Sequence, residues 1–297
     1  MSNNLISGLI KLINANQLHQ NLFNLSKDPL PYRKLNYTVP GAGKNTLYQA
    51  DDFIQKKLES WGYTVEKEGV EVRAVNSEES PWFTAYNLYA KKLGVVHPEE
   101  IILFLSHKDS QSWVDSPGAY DNCAGTVSTM EIARVLKDYP SQRSVWFLFC
   151  NEEHAPWTSV TAAQNAKLRN DDLIAIFNLD AVGGKSHADI NADRKTNVTV
   201  FTEPEGERFA DLMDEVNKIY QIGLTQRKHQ RQSPGDDDGS FIKAGFPMAI
   251  MNIGSFPYTD PNYHLETDIP ELVDIQNLWM SAQASLAAGL SVDLGEV

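Results

Sequence analysis

The sequence predicts a single α/β/α domain, in which a mostly parallel mixed central sheet is flanked by helices. Three apolar runs have the length and the β-branched or aromatic content of strands buried on both faces: 101–105, 145–149 and 173–177. Segments with helical periodicity separate these runs, and this alternation favours parallel strands joined by helices. With 42% hydrophobic and 22% charged residues, the 297-residue chain can bury a sizeable core.

The N-terminal part is predicted to be mainly helical. Residues 4–25 have the pattern of one helix, which ends before Pro29. A second helix is predicted over 46–61 from a stripe of apolar residues, with Gly62 as its C-cap. We therefore predict one domain over residues 1–297, with residues 1–40 as an N-terminal helical extension.

The remaining elements follow from the same two periodicities. Strands are predicted near 64–75 and 83–91, and a last interior strand over 247–253. A largely buried helix is predicted to follow Asn122 and to end near Leu136. Further helices are predicted at 158–168, 205–220, 237–244 and 271–289.

Charge and cysteine content exclude several functional classes. With 26 basic and 39 acidic side chains, the formal net charge of −13 disfavours nucleic acid and anionic membrane surfaces as partners. No apolar run approaches the roughly 18 residues of a membrane-spanning helix. Two cysteines cannot form a disulfide framework. We expect a cytoplasmic location, with a secreted mature form that lacks its signal peptide as the alternative.

Metal-ligand residue types follow the predicted strands. The five candidates are His107, Asp121, Glu153, Asp180 and His264. In open α/β sheets, ligands gather beyond the carboxyl ends of strands, so these side chains are predicted to converge. Nitrogen and carboxylate ligands without thiolate suit zinc, with manganese or cobalt as alternatives. Each residue alone has a simpler explanation, but their joint placement favours a metal site.

Five ligands are enough for two cations that share one carboxylate. Glu152, next to a candidate ligand but pointing differently in an extended segment, would be free to act as a base. His154, which follows the pair of glutamates, is predicted to support the site at most.

Several motifs together resemble the co-catalytic zinc aminopeptidases of metallopeptidase family 28. Their order and approximate spacing also agree, and the resemblance runs from about residue 40 to the C-terminus. The motifs are His-Lys-Asp-Ser from residue 107, Pro-Gly-Ala-Tyr-Asp-Asn-Cys-Ala-Gly from 117, Asn-Glu-Glu from 151, Asn-Leu-Asp-Ala-Val-Gly from 178, Asp-Asp-Gly-Ser-Phe from 237 and Tyr-His-Leu-Glu-Thr-Asp from 263.

The resemblance implies a role for each candidate ligand. Asp121 would bridge two zinc ions. His107 and Asp180 would complete one site, and Glu153 and His264 would complete the other.

The resemblance also implies how the ligands are supported. Glu152 would be the general base, and Asp109 would orient His107 through its second ring nitrogen. The peptide bond between Asp121 and Asn122 is expected to be cis.

The chain departs from the family pattern in two places. Asp238 stands where many relatives have a histidine, and residues 230–235 lack the tyrosine that some relatives use to stabilise the oxyanion. Stabilisation could then come from the metals or from Tyr120, Tyr258 or Tyr263.

The implied function is hydrolysis of the N-terminal residue of a peptide by a zinc-bound hydroxide. The expected partner is a peptide with a free N-terminus, and the sequence gives no indication of oligomeric state. The alternatives are a single-zinc glutaminyl cyclase, which typically has Asp-Ser at positions 121–122, and a non-catalytic binding domain of the same fold. Because Asn122 and all five ligands are present, the hydrolase is favoured.

An apolar N-terminal residue is the expected substrate preference. In the resembling enzymes, the segment before His264 lines the pocket for the first side chain. Here that segment carries Met251, Ile253, Phe256, Pro257 and Tyr258. The alternative is a basic or polar residue recruited by Asn252, Asp260 or Asp238.

Overall fold

An eight-stranded mixed sheet forms the centre of the fold, with the strand order β1-β2-β4-β3-β5-β8-β6-β7. The computed structural model describes residues 2–297, and side chains from residue 4 onwards. The strands are β1 (Val65–Arg73), β2 (Trp82–Lys92), β3 (His97–His107), β4 (Arg143–Cys150), β5 (Asp172–Leu179), β6 (Thr196–Phe201), β7 (Thr225–Gln230) and β8 (Ile250–Ile253).

Nine α-helices, one kinked turn and one 3₁₀ turn surround the sheet in the described part of the chain. The helices are α1 (Ser2–Ile10), α2 (Ala15–Ser26), α3 (Thr46–Ser60), α4 (Gly125–Leu136), α5 (Thr158–Arg169), α6 (His187–Asn191), α7 (Pro204–Ile219), α8 (Asp236–Ala244) and α9 (Ile275–Asp293). A kinked turn covers Ala119–Ala124, with non-helical backbone at Asp121 and Asn122, and a 3₁₀ turn covers Pro270–Leu272. Among the described helices, none combines the length and the apolar content that crossing a membrane requires.

The central strands are buried on both faces, as their continuous apolar runs predict. Phe104 of β3 stacks between Phe147 of β4 and Phe177 of β5, with ring centroids 5.9 and 5.4 Å apart, on the face covered by α4 and α9. Leu103 and Leu105 point to the opposite face, where they pack with residues of α5 and α8. This period-2 alternation between two helix layers confirms the predicted α/β/α fold.

Strands β4, β3, β5 and β8 are parallel neighbours, so their carboxyl ends meet at one edge of the sheet. The outer pairs β1–β2, β2–β4 and β6–β8 are antiparallel, and they make the sheet mixed. The residues that follow β3, β4, β5 and β8 are therefore brought to a common region.

Elements β6, β7 and α6 were not predicted, and the helix predicted over 271–289 lies over Ile275–Asp293. Two further differences have a clear cause. The single helix predicted over 4–25 is two helices, because the side chain of Asn14 accepts hydrogen bonds from the backbone N–H groups of Asn16 and Gln17 and starts α2 anew. The strand predicted over 247–253 begins only at Ile250, because the chain makes a turn after α8 in which Phe246 N–H donates to Phe241 O.

Candidate metal centre

The structure brings all five candidate ligands to the carboxyl edge of the central strands. His107 is the last residue of β3, Glu153 follows β4, and Asp180 follows β5. Asp121 lies in the kinked turn before α4, and His264 lies in the loop after β8, with a backbone φ of +58°. All but His264, whose side chain is 28% exposed, are buried.

Asp121 lies between two groups of potential ligands. Its Oδ1 is 3.3 Å from His107 Nε2, which is also 3.3 Å from Asp180 Oδ1. Its Oδ2 is 3.1 Å from His264 Nε2, which is 3.4 Å from Glu153 Oε1. The five side chains thus form two groups, and one oxygen of Asp121 belongs to each.

These separations fit metal coordination. Nitrogen and oxygen ligands that are about 2.0–2.2 Å from a tetrahedral zinc ion lie about 3.4 Å from one another. The observed 3.1–3.4 Å matches this spacing, whereas charge-assisted hydrogen bonds are shorter, at about 2.7–2.9 Å. The donor atoms of His107, Asp121 and Glu153 also lie within 4.8 Å of one another. The residues present therefore fit divalent cations of the zinc type.

Asp109 holds the backbone of the ligand segments together. Its Oδ1 lies 3.2 Å from His107 Nδ1 and accepts from the backbone N–H of Glu152 at 3.0 Å. Its Oδ2 accepts from Glu153 N–H at 2.8 Å and lies 2.8 Å from His154 Nδ1. Asp109 thereby orients the His107 ring, as the resemblance implies, and it also fixes the segment that carries both glutamates. His154 is a buried supporting residue rather than a member of the ligand group.

Gln111 contacts the site and was missed by sequence reasoning. Its Nε2 donates to Asp121 Oδ2 at 2.9 Å and to Glu153 Oε1 at 3.0 Å, so it joins two members of one ligand group. An uncharged glutamine four residues after a candidate ligand carries no sequence signal for such a contact. Only the path of the loop after β3 brings its amide to these carboxylates.

Asp268 and Asn122 hold the backbone around Asp121. Asp268 accepts hydrogen bonds from the N–H groups of Tyr120, at 2.9 Å, and Asp121, at 3.2 Å. The Asn122 side chain donates to Leu179 O and accepts from the N–H groups of Gly125 and Ala181. The peptide bond between Asp121 and Asn122 is cis, which confirms the prediction.

Gly125 allows this turn to pack against the end of β5. A Cβ atom at this position would lie 2.0 Å from Leu179 O and 2.3 Å from Asn122 Oδ1. Any larger residue would push the turn that carries Asp121 away from the strand.

A cavity of about 300 Å³ opens above the ligands. Glu152 lies in its wall, next to the ligand residues. Aromatic side chains form much of the remaining wall: Trp113, Trp157, Tyr258 and Tyr263. Tyr263 stacks on the His264 ring at 3.8 Å, and Trp113 meets the same ring edge-on at 5.1 Å. The cavity therefore has an acidic floor and an aromatic rim.

The residues predicted to form the substrate pocket are placed differently. Of the five apolar candidates, only Tyr258 lines the cavity, because Met251 and Ile253 belong to the buried strand β8. Phe256 packs against the ring of His229, with centroids 4.6 Å apart. Tyr258 and Tyr263 reach the cavity, whereas Tyr120 is not among its lining residues.

The polar alternatives are used within the protein. Asn252 accepts from Thr199 Oγ1 at 2.7 Å, and Asp260 accepts from Lys185 N–H at 2.8 Å. Buried Asp238 forms an ion pair with Arg231. None of these three residues is among those that line the cavity.

Burial and repulsion between carboxylates dominate the electrostatics of the site. Burial raises the pKa of Glu152 well above its ordinary value, and neighbouring Asp237 and Asp236 raise it further. Burial would lower the pKa of His264, but its contacts with Asp121 and Glu153 outweigh this and raise the pKa to about 10. The acidic groups thus favour positive charge at the floor of the cavity.

Comparison with known proteins supports a peptidase relationship. The sequence model described as peptidase family M28 matches residues 87–289. A probable aminopeptidase of Saccharomyces cerevisiae is 24% identical over 222 residues, which cover 71% of this chain and 57% of the yeast protein. The chain spans about half the length of the curated relatives it matches.

Solved structures share the fold at low sequence identity. A Zn-dependent exopeptidase from Parabacteroides distasonis matches with a TM-score of 0.74 and 17% identity, over 95% of this chain and 98% of that one. A glutaminyl cyclase from Bacteroides thetaiotaomicron matches with the same TM-score, 0.74, and 16% identity, over 93% of this chain and 97% of that one. Because both activities occur on this fold, fold similarity alone does not distinguish them.

Proposed function

The chain belongs to peptidase family M28, and from this premise we propose that it is a metal-dependent aminopeptidase. The observation that carries the proposal is the position of Asp121, whose two carboxylate oxygens face two separate groups of ligands. Such a shared carboxylate is what two neighbouring divalent cations need to offset their mutual repulsion.

Two zinc ions would be held by the five buried or half-buried side chains. His107 and Asp180 would hold one ion, Glu153 and His264 would hold the other, and Asp121 would contact both. Bound zinc supplies Lewis acidity, which lowers the pKa of water and polarises a carbonyl group. Asp109 and Gln111 would keep the ligands in position through the contacts described above.

Glu152 is the proposed general base. It lines the cavity, its backbone is fixed by Asp109, and its Oε2 is buried with no hydrogen-bond partner among the described residues. A carboxylate oxygen without a partner is free to accept a proton from water. Glu152 would then return that proton to the leaving amine.

The cavity favours a substrate with a free N-terminus. Its volume of about 300 Å³ lies at the lower end of the range of ligand pockets, roughly 300–1,000 Å³. Glu152 and Asp236, acidic residues of its lining that are not proposed zinc ligands, attract the positive α-amino group. The aromatic rim, which includes Trp113 and Tyr258, buries an apolar first side chain.

The test combines metal content with matched substrates. Purified protein should contain two zinc ions per chain by elemental analysis, lose activity on chelation and regain it when zinc is added. Leucyl-anilide should be hydrolysed, whereas N-acetyl-leucyl-anilide, which differs only in the blocked amine, should not. Equal hydrolysis of the two anilides would contradict an aminopeptidase.

The same preparation tests the cyclase alternative. It should not cyclise a peptide that begins with glutamine. One zinc ion per fully active chain, together with cyclisation of that peptide, would replace the proposed function with a glutaminyl cyclase.

A further inference from the structure

A short segment before the family-matched region packs against the loop after β3. Residues 33–36, here called the strap, precede the matched region that begins at residue 87. Residues 108–118, here called the ligand loop, have no regular helix or strand. The ligand loop carries Asp109 and Gln111, which both contact proposed metal ligands. It also carries Trp113 of the cavity rim.

Arg33 is the first residue of the strap and is fully buried. Its guanidinium group donates to Lys108 O at 2.7 Å, Pro117 O at 2.8 Å and Gly118 O at 2.7 Å. It therefore joins the first residue of the ligand loop to the last two. A fourth hydrogen bond, to Leu25 O at 2.7 Å, attaches the group to α2.

This arrangement is unusual because the hydrogen bonds of the Arg33 guanidinium group all go to backbone carbonyl groups. No salt bridge joins Arg33 to a carboxylate within residues 4–297, although burying a charge usually requires such a partner. A neutral or shorter side chain would leave several buried carbonyl groups without a donor. The geometry of the guanidinium fork thus determines how the two ends of the loop approach each other.

The strap also contacts the middle of the ligand loop. Ser110 N–H donates a hydrogen bond to Arg33 O at 3.0 Å. Lys34 Nζ donates to Val114 O at 3.0 Å and to Asp115 Oδ1 at 2.8 Å. Asn36 Nδ2 donates to Ser112 O at 2.9 Å.

The strap also reaches the segment after β4. Leu35 N–H donates to His154 Nε2 at 3.2 Å, and the other ring nitrogen of His154 faces Asp109. This contact makes Nδ1 the protonated nitrogen of a neutral His154, so that it donates to Asp109. One short segment therefore supports Asp109 from two sides.

We propose that the strap orders the ligand loop and that Arg33 is a positioning residue for the proposed metal centre. The proposal rests on the metal site of the proposed function. A loop of this length loses much conformational entropy when it is ordered, and hydrogen bonds from the strap offset this cost before any cation binds. Zinc then binds to ligands that are already in place.

The experiment compares strap variants with a control from the same part of the chain. Arg33→Lys keeps the charge but loses the fork, Lys34→Met loses both contacts to the loop, and Lys34→Arg restores a donor. The control is Lys27→Met, because Lys27 is exposed and pairs with Glu271 outside the ligand loop. Zinc affinity is measured by competition with a chromogenic chelator, and hydrogen exchange is measured by mass spectrometry on metal-free protein.

Arg33→Lys should weaken zinc binding by about ten- to a hundredfold, as is typical when a residue that supports metal ligands is changed. Amide exchange should become faster in residues 108–118 of the metal-free variant. Lys34→Met should show a smaller effect of the same kind, Lys34→Arg should reverse it, and Lys27→Met should match the wild type. At saturating zinc, kcat should fall while KM changes little.

Two results would overturn the proposal. One is a folded Arg33→Lys variant with wild-type zinc affinity and wild-type exchange in the ligand loop. The other, which decides the matter if Arg33→Lys does not fold, is a Lys34→Met variant that lacks both effects. If the wild type binds no zinc, the proposed function fails, whereas loop exchange in metal-free protein still tests the strap.

Discussion

Two groups of carboxylates in this protein have opposite surroundings. The central group lies at the carboxyl edge of the sheet and consists of Asp121, Glu152, Glu153 and Asp180. The peripheral group lies near β6 and the start of α9 and consists of Asp189 and Asp274. Sequence composition counts all six residues alike, whereas the structure separates them by their partners.

The peripheral carboxylates are neutralised by the protein itself. Asp189 Oδ1 lies 2.7 Å from Arg194 Nε and 3.1 Å from Arg227 Nη2. Asp274 Oδ2 lies 2.6 Å from Lys185 Nζ and 2.8 Å from Lys195 Nζ. Each carboxylate therefore has two basic partners and needs no external cation.

The central carboxylates lack such partners. Within residues 4–297, their ion-pair contacts are with the imidazoles of His107 and His264 and not with lysine or arginine. Lys108 is adjacent to His107, but its Nζ lies 2.9 Å from Asp51 Oδ1 and donates to Asn151 Oδ1. Burying several carboxylates without a basic partner is costly unless a cation binds among them. A cation site is therefore indicated by the type of partner that buried carboxylates have, rather than by the number of acidic residues.

The largest expected effect is at Glu152, the proposed base of the central group. Glu152→Gln should lower kcat by roughly a hundred- to ten-thousandfold, because it removes the proton acceptor. Zinc content should remain at the wild-type level, since Glu152 is not a proposed ligand. Glu153→Gln is the matched variant and should lose zinc. If the zinc loss occurs in Glu152→Gln instead, the roles of the two glutamates are reversed.

An intermediate effect is expected at Gln111, which donates to two central carboxylates. Gln111→Leu should weaken the binding of one zinc ion by about tenfold or more and leave the other less affected, because both contacts belong to the group around His264. Isothermal titration of metal-free protein with zinc measures both sites. Gln49→Leu removes a half-exposed side-chain amide that donates to Lys44 O and serves as the control. Equal weakening of the two sites would argue against an asymmetric role.

The smallest effect is expected at Asp274 of the peripheral group. Asp274 is also the N-cap of α9, and its side chain accepts from Asn277 N–H at 3.0 Å. Asp274→Asn keeps a good N-cap but removes the charge, so the loss of unfolding free energy at pH 7 should be about 1 kcal/mol. Zinc content and activity should not change. A loss of zinc would show that the two groups are not independent.

The effect at Asp274 should depend on pH. Burial would raise the pKa of Asp274, but Lys185 and Lys195 outweigh this and lower it from 3.8 to about 2. A carboxyl group with a lowered folded-state pKa stabilises the protein above its unfolded-state pKa, and this contribution is lost as the pH falls through the folded-state value. The difference in urea midpoint between wild type and Asp274→Asn should therefore be constant above about pH 5 and shrink towards pH 2. A constant difference at low pH would contradict this pairing.

Buried strands and periodic helices were predictable because their signals are local. The apolar runs of β3, β4 and β5 and the stripe of α3 are each contained in a few consecutive residues. The break between α1 and α2 was missed because the capping side chain of Asn14 interrupts an otherwise continuous helical pattern. The late start of β8 was missed because the preceding residues are equally apolar but form a turn after α8.

The five candidate ligands could be named from the sequence alone. They are histidine and acidic residues that directly follow predicted strands or belong to motifs with specific residue types. The resemblance already implied their division into two groups around Asp121, whereas the bridging amide of Gln111 and the strap that begins at Arg33 could be seen only in the tertiary structure. Those contacts join segments that are as distant in sequence as residues 33 and 118, or 111 and 153. Hydrogen bonds of this kind depend on where loops meet in space, and that position is set by the packing of the whole sheet and its helices.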